Sequence, residues 1–225
     1  MRRIVLCTIF VVAVAAWQAP ARAAEASEQQ KVVDLSRTAL EQLRTDNTMG
    51  ESARKLIHKA RAVMIVPRLV KAGFFLGGHG GSGVLLARSG GGWSNPCFYG
   101  MGGGSIGLQI GGEVSRVVLI IMSDKALDAV MKDEFKVGAA AGLTVVTLGA
   151  SGEASTTANA GADIYAVAQS KGFYGGVALE GAIMSPRDAW NKEYYRREAS
   201  VQDIVVRNSV SNPGAAALRS ALAKF

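Results

Sequence analysis

Six basic side chains lie within one short stretch: Arg54, Lys55, Lys59, Arg61, Arg68 and Lys71, with Glu51 the only acid between Gly50 and Phe75. That local balance of +5 points to recognition of anions. Near an anionic lipid surface each such group contributes about 1 kcal/mol of reversible, salt-sensitive attraction. The solvated face of an amphipathic helix carries the same signature, so both readings stand. Phe74, Phe75 and Trp93 follow closely and are read as core aromatics rather than interfacial anchors.

Other residues with reactive side chains are few. The segment GGHGGSG, residues 77–83, invites comparison with phosphate-cradling loops, because successive backbone amides can form an anion nest. It lacks the Gly-Lys-Ser/Thr ending of a nucleotide loop and opens no helix. It is expected to be a glycine-rich turn between two strands, with an anion-holding turn as the alternative. His58 and His79 are the only histidines and Cys97 is the only cysteine beyond Cys7. No H-x-x-x-H, C-x-x-C or H-E-x-x-H pairing exists, so neither metal nor cofactor is expected. A hydrolase needs its nucleophile on a strained turn. His79, Ser82 and Asp163 can be assembled only on paper, with no spacing rule behind them. No catalytic residue is assigned, and the protein is expected not to be an enzyme.

These residues must be positioned by the elements around them. Ser27 and Gln30 form a capping-box pattern ahead of Val32, Val33, Ser36, Ala39, Leu40 and Leu43 at helical spacing. A second helix is expected from Glu51 to about Ala60, with Ala53, Leu56, Ile57 and Ala60 on one face and Arg54, Lys55, His58 and Lys59 on the other. From Val63 the chain changes to short apolar runs punctuated by glycine, which read as strands: AVMIV before Pro67, GFFLGG, GVLLAR, CFYGM, SIGLQIG and VVLIIM. Asp124–Glu134 is expected to be a helix capped by Ser123 or Asp124. Further strands are expected in GLTVVTLGASGEASTTA, ADIYAVAQ and GFYGGVALEGAIM, the last two joined by a hairpin at Ser170-Lys171-Gly172. Pro186–Tyr195 reads as a helix with proline in its first turn, and two short helical stretches follow, separated by Asn212-Pro213-Gly214. Helices at the ends and strands in the middle make an α+β chain. The expected architecture is a strongly bent antiparallel sheet or partly closed β-barrel, flanked by N-terminal and C-terminal helices.

The first 24 residues have the charged start, short apolar run and Ala21-Arg22-Ala23 site of a secretory signal peptide, with an uncleaved anchor as the alternative. Removal of residues 1–24 takes away Arg2, Arg3 and Arg22 and no acid, lowering the formal charge from +7 to +4. That mild charge excludes a nucleic-acid polycation. Cys97 is then left alone, which excludes an internal disulfide. Residues 25–225 are expected to form a single domain, located in the periplasm or secreted.

Several segments in order, KARAVMIVPRLVKAGF (59–74), GGHGGSGVLLAR (77–88), GGWSNPCFYGMGGGSIGLQIGGE (91–113), FKVGAAAG (135–142), IYAVAQSKGFYGGVALEG (164–181) and NKEYY (191–195), resemble the SYLF domain, the lipid-binding domain of yeast actin-patch proteins. The chain departs from the family pattern at Met49-Gly50, at Ser115-Arg116, where an acid is common, and at Leu148-Gly149-Ala150. The resemblance implies a non-enzymatic module that binds anionic membrane lipids, phosphoinositides in eukaryotic members, through its N-terminal basic segment. Here that segment carries Lys55, Lys59, Arg61, Arg68 and Lys71, with Arg54 beside them. Actin binding is a further family property, one an exported protein has little occasion to use. An envelope protein partner is the alternative.

Overall fold

A computed structural model describes residues 26–73, 76–106, 111–138, 142–148, 161–170, 173–175, 179 and 181–225. The signal-peptide segment, Phe74, Phe75 and residues 149–160 of an expected strand lie outside the described residues.

Helix α1 (Glu28–Thr45) begins where Ser27 Oγ accepts the Gln30 N–H at 3.2 Å. The Gln30 side chain is used elsewhere, donating to Asp34 and to the Gly214 carbonyl, so only half of the capping box forms. Val33, Ser36, Ala39, Leu40 and Leu43 are buried along one stripe. Helix α2 (Gly50–Lys59) buries Ala53 and Ile57 and exposes Arg54, Lys55, His58 and Lys59, matching the expected amphipathic split.

The strands are β1 (Ala62–Gly73), β2 (Leu76–Ser89), β3 (Gly92–Trp93), β4 (Cys97–Ile106), β5 (Gly111–Ile121), β6 (Phe135–Lys136), β7 (Val145–Thr147), β8 (Ile164–Ser170), β9 (Phe173–Gly175) and β10 (Ile183–Pro186). They form one sheet in the order β6-β10-β4-β2-β1-β5-β8-β7, with β3 added to β2 and β9 to β8. Among the described strands only the β7–β8 pairing is parallel. The sheet is strongly curled into a half-barrel with helices before and after it. The expected α+β architecture is therefore present, in its open form. Helix α3 (Asp124–Val130) is capped by Ser123, as expected, but stops four residues short of Glu134. Helix α4 (Asp188–Tyr195), a π-helical turn (Gln202–Val206), a 3-10 turn (Pro213–Ala215) and helix α5 (Ala216–Leu222) complete the chain.

Three expectations are corrected. Strand β1 does not end before Pro67: it continues to Gly73 through a bulge that shifts register between Ile65 and Arg68 against β2, and between Val66 and Leu69 against β5. A proline in a central strand lacks one ladder donor, and a bulge is where that loss is tolerated. Second, GGHGGSG is not a turn. It lies inside β2, with Gly77 to Gly83 paired to β4 and Gly77 to Ser82 also paired to β1. An extended strand aims its amides alternately to its two neighbours, so no anion nest exists there. Third, Pro186 closes β10 rather than opening α4.

Alternation along the strands sorts the sheet into two faces. Phe98 of β4 meets Trp190 and Tyr194 of α4 edge-on, at 6.0 and 5.0 Å between ring centres. Tyr99, the next residue, donates its hydroxyl to the Val130 carbonyl of α3 at 3.2 Å. Helices α3 and α4 thus pack on opposite faces. Helix α1 contacts α4 and α5 as well as β1 and β2, so these three helices form the layer on the Phe98 face.

Candidate functional site

The six basic residues fall into three places. Arg54, Lys55 and Lys59 project from the exposed side of α2 and Arg61 follows directly. Arg54 Nη1 donates to the Arg44 carbonyl at the end of α1 at 3.3 Å. Lys55 pairs with Glu51 at 2.6 Å, and Arg61 with Asp124 at 2.6 Å. Both pairs are largely solvated, and such pairs contribute little to stability, so an external anion can replace either carboxylate at small cost. Arg68 lies about 23 Å further along β1 and Lys71 about 33 Å, at roughly 3.3 Å per residue. The two also lie on opposite faces. Arg68 is exposed on the face that carries α1, whereas Lys71 stands opposite His79 and Glu113 on the other.

Arg88 was missed from the sequence and organises the α2 end. Its guanidinium donates to the carbonyls of Ile57, His58 and Ala60 at 3.1, 2.9 and 3.1 Å, satisfying groups that a helix C-terminus leaves open. It also lies 4.5 Å above the Trp93 ring, which is buried as expected. Arg61, Arg88, Ser89 and Gly90–Gly92 line a hollow of about 270 Å³. Gly90 and Gly91 have φ of 55° and 90°, the left-handed turn that lets β2 double back into β3. The hollow therefore has two arginines at a tight turn.

On the face that carries Tyr99 and α3, the inner face, Gly103, His79, Lys71 and Glu113 stand in register across β4, β2, β1 and β5. The Glu113 carboxylate accepts from Ser170 and Ser115. His79 is 8% exposed, and neither ring nitrogen has a hydrogen-bond partner among the described residues. Burial, reinforced by the Lys71 charge, holds its pKa below the ordinary value.

The paper triad does not assemble. Ser82 lies three residues from His79 on the same strand, hence on the opposite face, and its hydroxyl accepts from Arg187 at 2.6 Å. Asp163 accepts from Ser123 Oγ at 2.6 Å and from the Thr144 amide at 3.1 Å, and these bonds hold its pKa down. Cys97 is buried, and burial pushes its thiol up to about 12, which removes the thiolate a nucleophile needs. Among the described residues no three His, Cys, Asp or Glu side chains gather as a metal site, and no helix is long and apolar enough to cross a membrane.

Two further arginines stand near Arg68 on the face that carries the helix layer, the outer face. Arg116 Nη1 donates to Gln169 Oε1 at 2.8 Å. Arg187 stacks on Trp190 at 3.5 Å from the ring centre while it donates to Ser82. Arg116 belongs to the Ser115-Arg116 pair that departs from the family pattern, and this was the available sequence signal.

Residues 102–225 match the family model described as "Las17-binding protein actin regulator", Ysc84. The SH3 domain-containing YSC84-like protein 1 of Homo sapiens is 33% identical over 152 residues, 67% of this chain and 44% of that protein. Its Rattus norvegicus counterpart is 32% identical over the same shares. LAS seventeen-binding protein 3 of Saccharomyces cerevisiae is 32% identical over 144 residues, 62% of this chain and 31% of that protein. The match thus spans less than half the length of these relatives, whose names are those of SH3-containing and binding proteins. With more than half of its residues matched in order by the family model and the curled sheet in place, the chain belongs to the Ysc84 family, the SYLF family.

Proposed function

We propose that the chain is a non-enzymatic module that binds anionic phospholipid head groups, with the α2 end as the entry point. The observation that carries this reading is the exposed set Arg54, Lys55, Lys59 and Arg61 beside the hollow lined by Arg61 and Arg88. Phosphate oxygens fit bidentate guanidinium donors, and surface carboxylates now on Lys55 and Arg61 can be exchanged for them. Arg68 and Lys71 are too distant from this end to share one head group with it. We propose further that residues 1–24 direct export, so that the lipid is that of an envelope or outer membrane surface; the N-terminal mass of the protein recovered from the extracytoplasmic fraction tests this.

Co-sedimentation with phosphatidylglycerol vesicles should exceed that with phosphatidylcholine vesicles and fall as salt rises, since solvated charges are screened. Lys55→Ala/Lys59→Ala/Arg61→Ala should weaken it roughly tenfold, at about 1 kcal/mol or less per charge. Equal binding to neutral and anionic vesicles would refute the reading.

A second reading follows from the family description: association with an actin-regulating protein of the Las17 kind. It predicts salt-tolerant capture of such a partner by a chain that ignores vesicles.

A further inference from the structure

The helix layer leaves one end of its sheet face uncovered among the described residues. There Val114, Val70, Gly80, Gly102 and Ile183 stand in register across β5, β1, β2, β4 and β10. The three apolar side chains are 49%, 41% and 38% exposed. The neighbouring row, Ser115, Leu69, Met101 and Met184, is buried, so the exposed row belongs to the outer face. Four strand spacings make it about 19 Å wide.

Glycine in this row is not demanded by packing. A Cβ at Gly80 would meet nothing closer than 3.9 Å, one at Gly102 only the His79 carbonyl oxygen at 3.4 Å, an ordinary contact, and one at the neighbouring outer-face Gly104 nothing within 4 Å. On the inner face a Cβ at Gly81 or Gly83 would lie 2.4 Å from a β1 carbonyl oxygen. A strand glycine that the fold does not need costs stability and leaves bare backbone open to close approach.

The border of this surface is cationic. Arg68, Arg116 and Arg187 lie along its helix side, and none has a carboxylate partner among the described residues: Arg116 and Arg187 donate to a neutral amide and a neutral hydroxyl. Arg68 and Arg116 also flank a cavity of about 400 Å³ between α1 and the sheet, with Leu35 on the far wall. Along this row Val70, Gly80, Gly102 and Ile183 are each paired on both sides, so β1, β2, β4 and β10 offer no free edge there to a partner strand. Apolar side chains around a side-chain-free centre, with unneutralised guanidiniums at one margin, complement a surface of lipid phosphates above acyl chains.

We propose that this face docks on an anionic phospholipid bilayer, Val70, Val114 and Ile183 entering the interface and Arg68, Arg116 and Arg187 meeting lipid phosphates. The inference rests on the lipid reading above and gives it a second, larger contact surface. Val70→Thr/Val114→Thr/Ile183→Thr keeps β-branching and strand preference, and Gly80→Glu places a negative charge where there is room for it. With phosphatidylglycerol vesicles, the triple variant should bind roughly tenfold more weakly. Gly80→Glu and Arg68→Gln/Arg116→Gln should each lose at least as much, with circular dichroism and melting unchanged. Wild-type binding by all these folded variants, with loss confined to the Lys55/Lys59/Arg61 variant, overturns this inference and leaves the lipid reading intact. Failure of the wild type to bind any vesicle overturns both and assigns the face to a protein partner.

Discussion

At the scale of single residues, the sharpest contrast is between adjacent glycines of β2. A methyl group at Gly81 would press on the Arg68 carbonyl at the Pro67 bulge, whereas one at Gly80 has space. Gly81→Ala should therefore destabilise the protein by about 1–3 kcal/mol through overpacking. Gly80→Ala should be neutral or stabilise by about 0.5 kcal/mol. Urea unfolding of the two variants checks the difference, and equal effects would contradict the two-faced description of the strand. His79 supplies a pH prediction. Its buried ring faces Lys71 on β1, Glu113 beyond it on β5, and Gly103 on β4. Because its pKa is depressed in the fold, the unfolded chain binds more protons, so stability is full above the ordinary value of about 6.5 and declines as pH falls through the folded value. The His79 Cε1–H resonance should titrate below 6.5, and a midpoint above it would show that the ring is paired.

At the scale of elements, buried polar side chains tie the helix layer to the sheet. Asn191 of α4 is fully buried; its Oδ1 accepts the Phe98 N–H at 2.8 Å and its Nδ2 donates to Cys97 Sγ at 3.5 Å. Asn191→Ala would orphan a buried amide and should cost about 1–3 kcal/mol, readable as a lowered melting temperature; an unchanged one would place the amide in contact with water. On the opposite face Ser123 both caps α3 and donates to Asp163, so Ser123→Ala should cost about 1 kcal/mol. Much of this scale was legible in the sequence. Apolar spacing revealed α1 and α2, Ser123 marked the start of α3, and strand-like runs located most of the sheet. What local rules missed was set by long-range pairing: Pro67 sits in a bulge between paired stretches of β1, and neighbours on both sides hold most of GGHGGSG extended. The basic segment was legible as a run of residues, but its division among a helix end and two sheet faces was not, because the bulge and the pleat decide it. Arg88, Arg116 and Arg187 join the site only through the fold.

At the scale of the whole molecule, a curled sheet keeps α3 on one face and a helix layer on the other, and leaves a glycine-paved apolar end bordered by arginines. The proposed membrane association through that end and the α2 end would make binding depend on both charge and apolar contact, so salt should weaken it without abolishing it. A single environment-sensitive fluorophore tests this most directly. Cys97 is buried and its thiol resists ionisation, so maleimide labelling of Val114→Cys or Lys59→Cys in the chain lacking residues 1–24 marks one position each. On addition of phosphatidylglycerol vesicles, the label at 114 should shift to the blue and be quenched by spin-labelled acyl chains, while that at 59 should report only the head-group region. A label at 114 that stays in water while the protein is bound to the vesicles would contradict docking through this face.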